Sequence, residues 1–265
     1  MAELCDWTIP GPGGPIPVRF YRPRGASTPA PLLLFFHFGG CVIGDLDTCH
    51  TACTLIARHA GCIVLSVGYR LAPEHKFPAA VDDALAAYRW ALKQAAAIGG
   101  CPDRIGVGGD SAGGYLAATI SLDMRRLDGP MPKAQLLIYP VVEMGRAEMP
   151  PTAFDRAYPL SRDDMIWFAS HYLSTPGDAA DPRCSIGRAA SLRSLPPTIV
   201  VLAGHDPLHR EGLAFAGRLR ADGVDVVLRS YDSLSHAFTA MSGGIPPARD
   251  AIIEVARMVD GALRR

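Results

Sequence analysis

The chain has 265 residues, 49% of them hydrophobic and 20% charged, with 26 basic side chains set against 26 acidic ones. That length supports one large core, and the cancelled charge leaves no surplus to attract a nucleic acid or an anionic membrane surface. No run approaches the about eighteen uninterrupted apolar residues that span a bilayer, the start lacks a basic stretch followed by an apolar one, and the seven cysteines fall into no paired framework.

These exclusions predict a soluble protein, cytoplasmic by default, with free thiols. Cys49 and Cys53 flank His50 on an expected helix, but no second cluster would complete four metal ligands. In chain order, β segments at 4–9 and 16–21 flank the turn-rich Pro10-Gly11-Pro12-Gly13-Gly14-Pro15, which predicts an N-terminal hairpin. Apolar runs follow at 32–36, 62–67, 104–107, 135–139, 198–203 and 224–231, most of them reading as strands buried on both faces. Helical patterns at 48–59, 78–97, 112–126, 208–221 and 248–263 separate them. The alternation predicts an α/β class: a mostly parallel sheet with helices on both faces, in a single domain over 1–265.

Residues 142–195 interrupt the alternation with more sequence than a simple crossover needs. Within them Ser161 and Asp164 are spaced as a capping box heading a helix at 161–168. Inserts of this size in compact domains usually serve function, so 142–195 is expected to form a cap or lid.

The motif that carries chemistry is Gly106-Val107-Gly108-Gly109-Asp110-Ser111-Ala112-Gly113-Gly114. It lies between an expected strand and an expected helix, and Gly109-x-Ser111-x-Gly113 matches an elbow that lifts a serine hydroxyl above a sheet edge. A serine at neutral pH needs a base beside it and a third group to orient that base. Of eight histidines, His236 follows the last expected strand through a short polar loop, where the active ends of open α/β sheets lie. A lone histidine is otherwise most simply a structural residue. Asp206 follows the strand at 198–203 and is placed to orient the imidazole, although beside Pro207 it also reads as a cap for the next helix. An oxyanion needs rigid backbone donors. Ala112, directly after the serine, supplies one, and the loop Phe36-His37-Phe38-Gly39-Gly40-Cys41 supplies a place for others. As turn chemistry alone, Gly39-Gly40 is equally an ordinary tight turn.

Taken together these segments resemble the hormone-sensitive-lipase-like esterases, the bacterial family IV carboxylesterases of the α/β-hydrolase fold. His37-Phe38-Gly39-Gly40 resembles the family's HGGG loop, and Gly109-Asp110-Ser111-Ala112-Gly113-Gly114 its GDSAGG elbow. Asp206-Pro207-Leu208 is similar to its DPL motif, and His236-Ala237-Phe238 to its H-x-F motif. Tyr69-Arg70-Leu71-Ala72-Pro73-Glu74-His75 looks like a structural segment, with Arg70 and Glu74 available to brace loops near the site. The resemblance implies Ser111 as nucleophile, His236 as base, Asp206 as orienter, and Gly39, Gly40 and Ala112 as oxyanion donors. It also implies hydrolysis of small-molecule carboxylic esters, with short chains common, and neither metal nor cofactor. Phe38, Cys41 and Asp110 are the expected pocket residues. An amidase, lactonase or thioesterase would use the same triad, and a non-catalytic ligand-binding homologue the same scaffold.

Two departures from the family pattern stand out. Phe38 occupies the first glycine position of the HGGG loop, where a positive φ would strain it. The chain also begins almost at its first strand, so the N-terminal cap helices usual in the family are expected to be missing. That would leave a more open pocket with exposed apolar surface suited to a homodimer.

Overall fold

A computed structural model of the chain describes residues 1–145 and 153–264. The expected insertion at 142–195 is therefore described except for residues 146–152, which lie outside the described residues. In chain order the strands are β1 (Glu3–Gly11), β2 (Gly14–Arg22), β3 (Ala30–Phe36), β4 (Ile63–Val67), β5 (Gly100–Asp110), β6 (Gln135–Ile138), β7 (Thr198–His205) and β8 (Val226–Ser235). The helices are α1 (His50–Ala60), α2 (Ala79–Gln94), α3 (Ala112–Arg126), α4 (Arg162–Tyr172), α5 (His209–Ala221), α6 (Phe238–Met241) and α7 (Pro246–Arg264).

The strands form one sheet in the order β1-β2-β4-β3-β5-β6-β7-β8. Pairings from β4 to β8 are parallel, while β2 runs antiparallel to both β1 and β4. The result is a mostly parallel sheet with helices on both faces, as the sequence alternation predicts.

The central strands alternate between two cores because successive side chains point to opposite faces. Leu32, Leu34 and Phe36 enter one core with Leu65, Val107, Leu137 and Val200, beneath α2, α3 and α5. Leu33 and Phe35 enter the other with Val64, Ile138 and Val201, against α1 and α7. Burial on both faces explains why these strands read as unbroken apolar runs.

The structure departs from the sequence reading in three places. Only Pro12 and Gly13 lie between β1 and β2; the strands run through the flanking prolines and glycines. β5 begins at Gly100, where Cys101, Pro102 and Asp103 hide it from an apolar-run search, and its pairing with β3 shifts register between Ala30 and Leu32. β8 is an edge strand with alternating half-buried and exposed residues, not one buried on both faces.

The connection between β6 and β7 is fastened to the body by polar contacts. Arg183 bridges Asp82 on α2 and buried Asp123 on α3 at 2.8 and 2.9 Å. The Tyr115 hydroxyl donates to the Arg183 carbonyl at 2.7 Å and meets the Tyr172 hydroxyl at 3.1 Å. Helix α4 starts at a capping box in which the Asp164 amide donates to the Ser161 hydroxyl and the Ser161 amide donates to the Asp164 carboxylate.

Candidate active site

Ser111 sits at the turn between β5 and α3 with φ 56° and ψ −117°, a conformation that only glycine adopts without strain. Backbone bonds clamp it there: its amide donates to Ile138, and its carbonyl accepts from Tyr115 and Val141. Space for the turn comes from the flanking glycines. A β-carbon on Gly109 would lie 2.4 Å from the Gly113 backbone, and one on Gly113 would lie 1.9 Å from the Phe36 carbonyl oxygen.

Sheet register brings the acid and the base together. β7 and β8 pair His205 with Ser235, so the next residues, Asp206 and His236, leave the sheet side by side. A register shift between Ala203 and His205 surrounds Gly204, where a β-carbon would meet the Asp232 backbone at 2.3 Å. His236 Nδ1 lies 2.8 Å from Asp206 Oδ2, and His236 Nε2 lies 3.0 Å from Ser111 Oγ. Because a carboxylate can only accept, Nδ1 carries the hydrogen and Nε2 is left to accept from the serine hydroxyl. All three side chains are buried. Asp206 also caps its own turn, since its Oδ1 accepts the Leu208 amide at 2.8 Å. The helix-cap reading does not hold for α5, whose N-cap is Leu208 without a side-chain bond; Asp206 instead bridges the turn before it with one oxygen and orients the histidine with the other.

The loop after β3 bends sharply, with φ of 122° at Gly39, 63° at Gly40 and 60° at Cys41. Phe38 is not among the positive-φ residues, so its bulk there is unstrained. The Val42 and Ile43 amides both donate to the Gly39 carbonyl. Below them buried His37 donates from Nδ1 to the Phe38 carbonyl at 2.7 Å and stacks on Tyr69, whose hydroxyl donates to the His37 carbonyl. Burial lowers the His37 pKa, which keeps the ring neutral and its Nδ1–H available for that one bond. Among the described residues, no backbone hydrogen bond uses the N–H of Gly39, Gly40 or Ala112.

Ser111 and His236 open onto a cavity of about 130 Å³, bordered by Phe38, Gly39 and Gly40. Its remaining walls are largely apolar: Ile43, Val141, Met144, Leu160 and Leu208, with Met165 and Phe168 from α4. The Phe168 ring lies so near the loop that a β-carbon on Gly40 would stand 2.4 Å from it.

A serine hydroxyl bonded to a carboxylate-oriented imidazole, beside unpaired amides and under an apolar roof, is equipped to transfer an acyl group. A family model described as the alpha/beta hydrolase fold matches residues 33–240. The chain belongs to this family.

This α/β hydrolase is 43% identical to the carboxylic ester hydrolase LipN of Mycobacterium tuberculosis over 264 residues, 96% of its own length and 70% of the relative's. It is 37% identical to an ethyl acetate hydrolase of Pseudomonas putida over 92% of its length and 77% of the relative's. Among solved structures it superposes on the carboxylesterase EstE1, from a metagenomic library, with a TM-score of 0.94 and 39% identity, covering 100% of this chain and 90% of that one. An esterase of Pyrobaculum calidifontis gives a TM-score of 0.92 and 38% identity, with 98% and 85% covered.

Two expected pocket residues of the hydrolase are placed elsewhere. Asp110 is fully buried beneath the serine, held by Thr239, Tyr139 and Cys49. Cys41 is fully buried in the core against Tyr172. Both side chains lie in the buried interior, and neither lines the cavity. Of the three, only Phe38 borders it. Bracing by Arg70 and Glu74 also differs: Arg70 grips buried Asp83 on α2 through two bonds of 2.8 Å, while Glu74 is exposed. The sequence reading overlooked the inward side of α4, although Met165 and Phe168 stand three apart, as one helix face requires. It also overlooked Tyr139 and Thr239, which no motif marks.

Proposed function

We propose that this hydrolase is a serine carboxylesterase cleaving short- to medium-chain esters of small molecules through an acyl-enzyme. What supports the reading is the chain of hydrogen bonds from Ser111 through His236 to Asp206 at the floor of an apolar cavity.

Ser111 Oγ attacks the ester carbonyl carbon while His236 Nε2 takes the hydroxyl proton. Asp206 holds the other ring nitrogen and stabilises the imidazolium so formed. Negative charge developing on the carbonyl oxygen is received by the N–H groups of Gly39, Gly40 and Ala112. The imidazolium then returns its proton to the departing alkoxide, releasing the alcohol and leaving the acyl group on Ser111. Water enters, loses a proton to Nε2 as it attacks, and Ser111 leaves protonated with the free acid as product. No step consumes anything beyond ester and water.

The cavity size favours a small acyl group. The Pseudomonas putida relative, named for ethyl acetate, suits that size. The described part of 142–195 serves as a cap, with α4 as the part that roofs the serine. Apolar side chains near the entrance, Ile43 at 50% and Trp167 at 47% exposure, would favour pairing of two copies, which sedimentation velocity tests.

The test is hydrolysis of p-nitrophenyl esters from acetate to decanoate by the native protein and by Ser111→Ala. The expected result is turnover highest for the short chains and abolished in the variant. Turnover by the native protein no faster than by Ser111→Ala would sink the reading.

A further inference from the structure

Directly under the catalytic histidine lies a second carboxylate that the mechanism above does not use. Asp110 is fully buried, and its contacts are neutral donors. Thr239 Oγ1 reaches Asp110 Oδ2 at 2.5 Å, the Tyr139 hydroxyl reaches the same oxygen at 3.1 Å, and Cys49 Sγ reaches Oδ1 at 3.4 Å. The Tyr139 and Thr239 hydroxyls also meet at 2.6 Å, closing a triangle of three oxygens. Among the described residues no arginine or lysine pairs with this carboxylate, although burying an unpaired carboxylate is costly.

The triangle is tied to His236 in two ways. Thr239 lies three residues after it, on α6, so the Asp110–Thr239 bond pins the turn that carries the imidazole. The Tyr139 ring lies against the imidazole with centroids 4.6 Å apart. Backbone strain gathers at the same place: Ser111, Tyr139 and Ala237 have φ of 56°, 33° and 57°. Strain of this kind persists only where surrounding structure enforces it, and it clusters where geometry serves function.

We propose that Asp110 is a positioning residue for His236: it fixes the imidazole through Thr239 and Tyr139 and gives the imidazolium formed during catalysis a second buried anion. The group that supplies a countercharge is thus the histidine itself, and only while it holds the serine proton. Burial leaves the Asp110 carboxyl raised overall, and the bonds from Thr239, Cys49 and Tyr139 with the neighbouring His236 offset part of that rise. Facing Asp110 are Cys49 just before α1, Cys53 on it, Tyr69 after β4, Tyr139 after β6, and His236. Burial raises the thiols and phenols among them, which keeps them neutral.

The inference rests on the esterase reading, and one set of measurements separates the two. kcat and KM are measured against pH for p-nitrophenyl acetate with the native protein, Ser111→Ala, Asp110→Asn, Thr239→Val and Thr239→Ser, and folding is followed by circular dichroism. Activity surviving in Ser111→Ala would end the esterase reading whatever the others do. For Asp110→Asn and Thr239→Val the expectation is a loss of about 10- to 100-fold in kcat with KM nearly unchanged, and Thr239→Ser recovers most of it. Removing the anion destabilises the imidazolium, so in Asp110→Asn the acid limb of kcat/KM moves to lower pH by about one unit. Folded Asp110→Asn protein with native kcat, or with its acid limb unmoved, overturns the proposal. Should that variant not fold, Thr239→Val decides: full activity overturns it, and a kcat loss restored by serine supports it.

Discussion

The carbonyl oxygen of Phe36, last residue of β3, lies 1.9 Å from where a β-carbon on Gly113 would stand, in the first turn of α3. The strand carrying the glycine loop and the helix behind the serine are thereby in backbone contact. The offending atom is backbone at the centre of the sheet and cannot swing aside. Gly113→Ala is expected to lose about 2 kcal/mol or more of stability and to displace the serine from the loop amides. Urea unfolding and ester turnover on one preparation would test this; a variant with native midpoint and rate would show that the contact relaxes freely.

Phe38 narrows the cavity without straining the backbone, so shortening it should change selectivity rather than abolish turnover. In Phe38→Ala, kcat/KM for octanoate relative to acetate is expected to rise about tenfold, a modest pocket effect. An unchanged ratio would mean that Phe38 does not limit the acyl chain.

Asp206 uses separate oxygens for Leu208 and His236. Asp206→Asn can keep the first bond while presenting an amide N–H to Nδ1, which favours the wrong tautomer. A folded protein with kcat lowered on the order of 10³- to 10⁴-fold is expected. Thermal unfolding within a few degrees of native, beside the kinetic loss, would separate orientation from folding, whereas near-native kcat would remove Asp206 from the mechanism.

His37 has a folded pKa below its unfolded value, because burial disfavours the cation. The unfolded chain therefore binds a proton in a window where the folded one does not. Its share of stability is present above the unfolded value of about 6.5 and is lost as pH falls through the folded value. Urea midpoints should drop between pH 7.5 and 5.5. His37→Asn, which can still donate to the Phe38 carbonyl, should show a shallower drop; an identical slope would assign the effect to other groups.

Arg183 fastens the β6–β7 connection to Asp123, which is nearly inaccessible. Among the described residues, Arg183→Ala leaves Asp123 with Arg126 as its remaining ion-pair partner, 3.1 Å away and largely exposed. A loss of about 2–3 kcal/mol is expected by denaturant titration, and a loss below about 0.5 kcal/mol would make the bridge incidental.

Much of this protein was legible in its sequence because the determining interactions are local. Buried strands announce themselves as apolar runs, Ser161 and Asp164 as a capping box, and Gly109 and Gly113 as the room a strained serine needs. The order of Ser111, Asp206 and His236 follows from strand ends sharing one sheet edge. What tertiary structure alone decided is which residues meet across long separations. Cys41 and Asp110 adjoin site residues in sequence, yet their side chains lie in the buried interior. Tyr139 and Thr239 are one hundred residues apart and carry no motif, yet their hydroxyls lie 2.6 Å apart over Asp110. Phe168 reaches the glycine loop because the β6–β7 connection folds back across the sheet. Periodicity and turn chemistry fix where the backbone bends, but packing of distant side chains fixes what faces the serine, and a linear pattern does not encode that distance.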